Sequence, residues 1–157
     1  MCSSDLPRCR CARGSGPPAQ TNNRFRSIPL ADLAPLCALP GIDWYSLQVG
    51  ATAAEAATLA AAGVTDLGPR LGDFADTAAV MQELDLVLTI DTSVAHLAGA
   101  LGRPTWIPLS HTCCWRYLLD RTDSPWYPTA RLFRQPARGA WAPVVAAVRT
   151  ALEESRP

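Results

Sequence analysis

Within the stretch LDLVLTIDTSVAHLAGALGRPTW, Leu84 to Trp106, a carboxylate, two hydroxyls and an imidazole fall at one point: Asp91, Thr92, Ser93 and His96. An apolar run stops at Asp91, Thr92 or Ser93 is placed to cap the helix that follows, and His96 lies on its first turn. The first amides of a helix have no intrahelical acceptor and carry the positive end of its dipole, so they favour an anion such as phosphate. On a helical wheel Thr92, Ala95, His96 and Gly99 share a face, small and polar at its top and bare below. A diphosphate could approach the backbone there while His96 adds a hydrogen bond or partial charge. Plain capping accounts for the same residues, because Ser and Thr caps are ordinary and an aspartate before a cap often satisfies loop amides. Taken alone, the residues leave both readings open.

The elements that must position this junction alternate in period. IPLADLAPLCAL reads as a short helix ended by Pro40-Gly41, IDWYSLQ as a strand, and ATAAEAATLAAAG as an alanine-rich helix stopped by Gly63. VTDLG is a short strand. DFADTAAVMQEL is a helix capped by Asp73 or Asp76, with an apolar stripe through Phe74, Ala78 and Met81. LDLVLTI and PTWIPL are apolar enough to be buried strands, with the helix SVAHLAGAL between them closed by Gly102. ARLFRQ reads as an edge strand. From about Trp141 an amphipathic helix should bury Val144, Val145, Val148 and Leu152 and turn Arg149, Glu153 and Glu154 to water. Strands alternating with helices predict an α/β domain, a Rossmann-like open parallel sheet with helices on both faces, which binds ligands at the carboxyl ends of its strands.

Composition narrows the partners. The chain has 157 residues, enough for one domain with a real core, and its 14 Lys+Arg balance 14 Asp+Glu, so charge gives no case for nucleic acid or an anionic membrane. Asp85 and Asp91 interrupt the most hydrophobic region, which argues against a membrane span, and the start lacks the apolar core of a secretory signal. Six cysteines, at 2, 9, 11, 37, 113 and 114, match neither zinc-ligand spacing nor a disulfide framework. They read as reduced thiols of a cytoplasmic protein, with no metal site. Residues 1–20 are rich in Cys, Arg, Pro and Gly and are read as a disordered or artefactual leader, with the domain spanning 21–157.

At IDTSVAHLAGALGRPTW the sequence resembles the carboxyl-terminal donor-binding domain of the heptosyltransferase-like, family 9 glycosyltransferases. It looks most like the bacterial branch in which that domain follows tetratricopeptide repeats. The resemblance extends through WRYLLDRTDSPWYPTARLFRQP and back through DFADTAA, SLQVG and RSIPL, about Arg24 to Leu152. It implies half of a GT-B fold that takes a nucleoside-diphosphate sugar as donor substrate, with no cofactor or metal. The general base and the acceptor site are expected on a preceding half, which would leave this chain a fragment inactive by itself. Asp91 would meet sugar hydroxyls or organise the loop, Thr92 and Ser93 would offer donors to the diphosphate, and His96 would support the same group. Arg24, Gln48, Asp76, Thr77 and Trp115 are further candidate donor contacts, while Trp126 and Tyr127 fit loop packing equally well. The family's first core strand is expected to be missing, since the leader stands where it should be. Cys113 and Cys114 replace a frequent Pro and Asp, and Val49 stands where a lysine is common. Two other readings remain: a noncatalytic nucleotide-sugar or protein-binding module, and a nucleotide-sugar epimerase of the same architecture, for which this stretch offers few acid/base residues.

Overall fold

The computed structural model describes residues 8–12 and 26–155. Six parallel strands form one sheet: β1 (Arg8–Ala12), β2 (Asp43–Ser46), β3 (Thr65–Asp66), β4 (Leu86–Thr89), β5 (Thr105–Leu109) and β6 (Ala130–Arg134), in the order β3-β2-β1-β4-β5-β6. The connecting helices are α1 (Leu30–Cys37), α2 (Ala53–Ala61), α3 (Phe74–Gln82), α4 (Ser93–Ala100) and α5 (Trp141–Glu154).

The place expected to be vacant is filled. Arg8–Ala12, inside the segment read as a leader, runs between β2 and β4, with Arg10 opposite Tyr45 on one side and Val87 on the other. The physical reason is the ladder: without a strand there, the facing edges of β2 and β4 would bury unpaired amides and carbonyls. Five residues of almost any composition can supply that pairing, so side-chain periodicity gave no warning.

Alternation along the central strands divides the core in two. Leu88, Ile90, Trp106 and Phe133 face the layer of α1, α2 and α5, where they meet Leu33, Leu36, Leu59, Val144, Val148 and Leu152. Val87 faces Met81 and Ala98 of α3 and α4, while Ile107, Leu109 and Leu132 meet Ala95 of α4 and the Tyr117 ring. Each large side chain so buried is worth about 1.5–3 kcal/mol against exposure, which explains why β4 and β5 read as continuous apolar runs. The stripe of α5 follows expectation through Val144, Val148 and Leu152, with Val145 only partly covered. That of α3 does not: Thr77 and Met81 are its buried positions, and Phe74 is 58% exposed. Phe74 is the first residue after the Asp73 cap, and it points away from the sheet.

Two prolines lie inside elements without breaking them. Pro35 in α1 is exposed, and Ala31, whose carbonyl it deprives of a donor, is exposed as well, so water can serve that carbonyl. Pro108 in β5 falls beyond the β4 ladder, whose pairing ends at Leu88–Trp106. From there the β4 chain leaves the sheet at Ile90 and Asp91.

Candidate functional site at the carboxyl end of β4

In this strand order the sheet winds one way from β1 to β3 and the other way from β4 to β6. The reversal lies between β1 and β4, and in open sheets of this kind the ligand crevice lies outside the carboxyl ends of the strands at such a reversal. Asp91 leaves β4 at that crevice, and α4 begins two residues later.

The start of α4 differs from those of α2 and α3. Thr52 and Glu55 cap α2 reciprocally, and Asp73 accepts from the amides of Ala75 (2.7 Å) and Asp76 (3.0 Å) on α3. Thr92, the N-cap of α4, makes no such bond; its hydroxyl turns back to the Ile90 carbonyl at 3.3 Å and lies 3.4 Å from Thr89 Oγ1. Ser93 is exposed at the first helical position. A first turn without a side-chain cap keeps its donors and its positive dipole available to a ligand.

Asp91 is mostly buried, and Arg26 holds it from the side. The guanidinium donates to the Asp91 carbonyl through Nη2, and the same nitrogen is 3.7 Å from Oδ2. The two opposite charges largely cancel, so the carboxylate does not make the mouth of the helix repel an anion. His96 Nε2 stands 4.0 Å from the other carboxylate oxygen, and its Nδ1 is 3.0 Å from the Tyr127 hydroxyl. The imidazole also stacks on Tyr117, at 6.4 Å between centroids and 9° between planes. Tyr117 is wholly buried, and its hydroxyl has no partner of good geometry among the described residues. Burial first, and the charge of Asp91 after it, push that phenol well above its ordinary range, so it stays protonated.

The loop carrying both tyrosines is tied to the sheet by Arg134 at the end of β6. Its Nε donates to the Arg121 carbonyl (3.1 Å), Nη1 to Cys113 Sγ (3.0 Å) and Nη2 to the Tyr117 carbonyl. Tyr127 crosses α4 at Gly99, where a Cβ would stand 2.4 Å from the ring's Cγ. The lower part of the expected bare face is therefore covered. Gly99 admits an aromatic ring there, and only the top of α4 remains for a ligand.

The other sequence-derived candidates divide. Gln48 lies half-buried two residues beyond β2, its amide donating to Ser46 Oγ at 3.3 Å. Asp76 accepts from the Gly72 amide at 2.8 Å, and the buried Thr77 hydroxyl donates to the Asp73 carbonyl at 2.9 Å, so both are engaged in building the start of α3. Trp115 is 68% exposed, edge-on to Trp126 at 6.2 Å and covered on one face by Arg116. Arg24 lies outside the described residues. His111 is exposed, and its amide donates to Gln135 Oε1 at 3.1 Å. Sequence reasoning gave Arg26 and Tyr117 no role, and it left Tyr127 open between a sugar-side contact and loop packing. Arg26 is separated from Asp91 by 65 positions, and no local pattern announces that pairing.

Residues 46–107 match the family model of glycosyltransferase family 9 (heptosyltransferase), a span running from the end of β2 into β5 and holding the whole Asp91–His96 junction. Over that span the chain resembles the family 9 glycosyltransferases. The chain is also 32% identical over 129 residues to protein FlbA of Caulobacter vibrioides, an alignment covering 76% of this chain and 21% of FlbA. Its fold is similar to that of E. coli ADP-heptose LPS heptosyltransferase II, with a TM-score of 0.63 at 18% identity over 98% of this chain and 49% of the other. E. coli heptosyltransferase WaaC with ADP gives 0.62 at 18% identity, covering 96% and 44%. The domain thus has the Rossmann-like architecture found in these GT-B enzymes, and it spans about half the length of the solved structures it resembles. No helix among the described residues is long and apolar enough to cross a membrane.

Proposed function

We propose that this domain binds a nucleoside-diphosphate sugar and serves as the donor half of a glycosyltransferase. The observation that carries the reading is the start of α4: a helix N-terminus without a side-chain cap, at the crevice where the sheet order reverses, flanked by His96 and by an Asp91 neutralised by Arg26. The similar structures of WaaC hold ADP and ADP-2-deoxy-2-fluoro heptose, which makes an ADP-sugar the first donor to try.

In this reading the Ser93 and Val94 amides and the Ser93 hydroxyl receive the diphosphate, and His96 donates to it from Nε2. Negative charge builds on the leaving diphosphate as the sugar is transferred, so these donors act most strongly at the transition state. Asp91, fixed by Arg26, is left to accept from sugar hydroxyls. Gln48 borders the same rim, and Trp115 with Trp126 offers apolar faces to the sugar or the acceptor. The general base and the acceptor are assigned to a preceding half of a longer, cytoplasmic protein carrying tetratricopeptide repeats. This domain alone is then expected to bind donor without turning it over.

Calorimetric titration of ADP, UDP and GDP tests the reading. At least one should bind, and His96→Ala and Asp91→Ala should each change the affinity by about 5- to 30-fold, the equivalent of roughly 1–2 kcal/mol for a charge-assisted hydrogen bond. Binding by none of the three, or binding indifferent to both changes, would reduce the junction to a cap.

A further inference from the structure

His96 has two ring nitrogens with different surroundings, and the difference goes beyond holding an anion. Nε2 faces the Asp91 carboxylate at 4.0 Å, an acceptor at every pH at which the protein is folded with that group ionised. Nδ1 faces the Tyr127 hydroxyl at 3.0 Å, a group that can donate or accept. The arrangement satisfying both contacts puts the proton on Nε2 and makes Tyr127 the donor to Nδ1. Tyr127 reaches this place because residue 99 has no side chain: its ring occupies the space of a Cβ, 2.4 Å to Cγ and 2.5 Å to Cδ1. Tyr117 fixes the plane by stacking at 9°.

We infer that Tyr127 is a positioning residue: seated on Gly99 and donating to His96 Nδ1, it keeps the imidazole proton on Nε2, the nitrogen at the mouth of α4. The inference rests on the donor-binding reading for its consequence but not for its geometry. A neutral imidazole with the other tautomer would present a lone pair to the diphosphate and repel it. Tyr127 thereby makes His96 a donor without requiring it to be charged. Among the described residues, Asp91, Tyr117 and Tyr127 face the ring and Arg26 pairs with Asp91. Arg26 and Asp91 face each other as opposite charges, and burial keeps the Tyr117 phenol protonated.

The test uses the full chain and two variants that remove the contact differently. Tyr127→Phe deletes the hydroxyl and keeps the ring, and Gly99→Ala keeps the hydroxyl but forces the ring off α4. Imidazole nitrogen chemical shifts at pH 8 report the tautomer of His96, with His96→Gln used for assignment. The protein should show a pyridine-like Nδ1 and a protonated Nε2, and both variants should move the two shifts toward an exchange average. ADP affinity at pH 8 should fall by about three- to tenfold in each, as for one lost hydrogen bond to the ring. A protonated Nδ1 in the unaltered protein, or shifts unchanged in both variants, overturns the inference. Should the unaltered protein bind no nucleoside diphosphate, the donor-binding reading fails while the shifts still decide the role of Tyr127.

Discussion

Gly68 offers the sharpest test of how the crevice is built. It opens the short 3-10 turn after β3, and an added Cβ would stand 2.0 Å from the Gln48 carbonyl oxygen and 2.8 Å from its carbon. Both are backbone atoms, so no side chain can swing aside. Bringing the oxygen to an ordinary contact needs a displacement of more than 1 Å. The movable part is β3, a two-residue edge strand held to β2 at Tyr45–Thr65 and Ser46–Asp66 and by the Leu67 amide on the Ser46 carbonyl at 2.9 Å. Gly68→Ala should therefore cost about 1–3 kcal/mol in overpacking and about 1 kcal/mol more for the strained or lost Leu67 bond. The sum of about 2–4 kcal/mol corresponds to roughly 5–15 °C in Tm for a domain of this size. Urea unfolding followed by tryptophan fluorescence and far-ultraviolet circular dichroism gives the free energy. Gly72→Ala is the matched control, because its Cβ would meet only the mobile Asp76 Oδ2 at 3.2 Å, and its loss should stay under about 1 kcal/mol. Gly68→Ala within about 0.5 kcal/mol of the unaltered protein would refute the close-approach argument.

Two further outcomes can be measured on the same preparation. Tyr117→Phe removes a buried hydroxyl that finds no partner of good geometry and keeps the ring stacked under His96, so it should raise stability by about 1 kcal/mol; a loss of that size instead would mean that the hydroxyl bonds Asp91 in solution. Burial pushes the Cys37 thiol up from the ordinary 9.0 to about 11. Between those values the folded chain keeps a proton that the unfolded chain releases, so Cys37 should lower stability as pH rises from 9 to 11, by up to about 1.4 kcal/mol per unit. Below pH 9 it has no effect, and Cys37→Ala should flatten the alkaline slope; an unchanged slope would show that the thiol is not the group responsible.

The amino-acid order by itself determined the class of fold and the position of the strand-to-helix junction at Asp91. Val87 and Leu88 are buried on opposite faces of a central strand, and such a strand reads as a nearly continuous apolar run, which is legible in one dimension. So is the stop at Asp91 and the small-residue helix after it, because capping and helical periodicity are local. The α3 cap at Asp73 was legible for the same reason, whereas Phe74 was not, because the stripe that its spacing suggests is filled by Thr77 and Met81. The place of Arg8–Ala12 could not be read either: a strand there is required by the exposed edges of β2 and β4 rather than by its own residues.

What surrounds the junction was decided only by tertiary structure. Arg26 and Asp91 are brought together by the return of the chain across the sheet. Tyr127 reaches His96 because the loop after β5 folds back over Gly99, and Tyr117 is set beneath it by the grip of Arg134. A glycine in a helix signals room, but it does not say what fills it. The sequence could name the imidazole; how its two nitrogens are oriented depends on partners 31 residues ahead and five residues back, and on packing that places them at 3.0 and 4.0 Å.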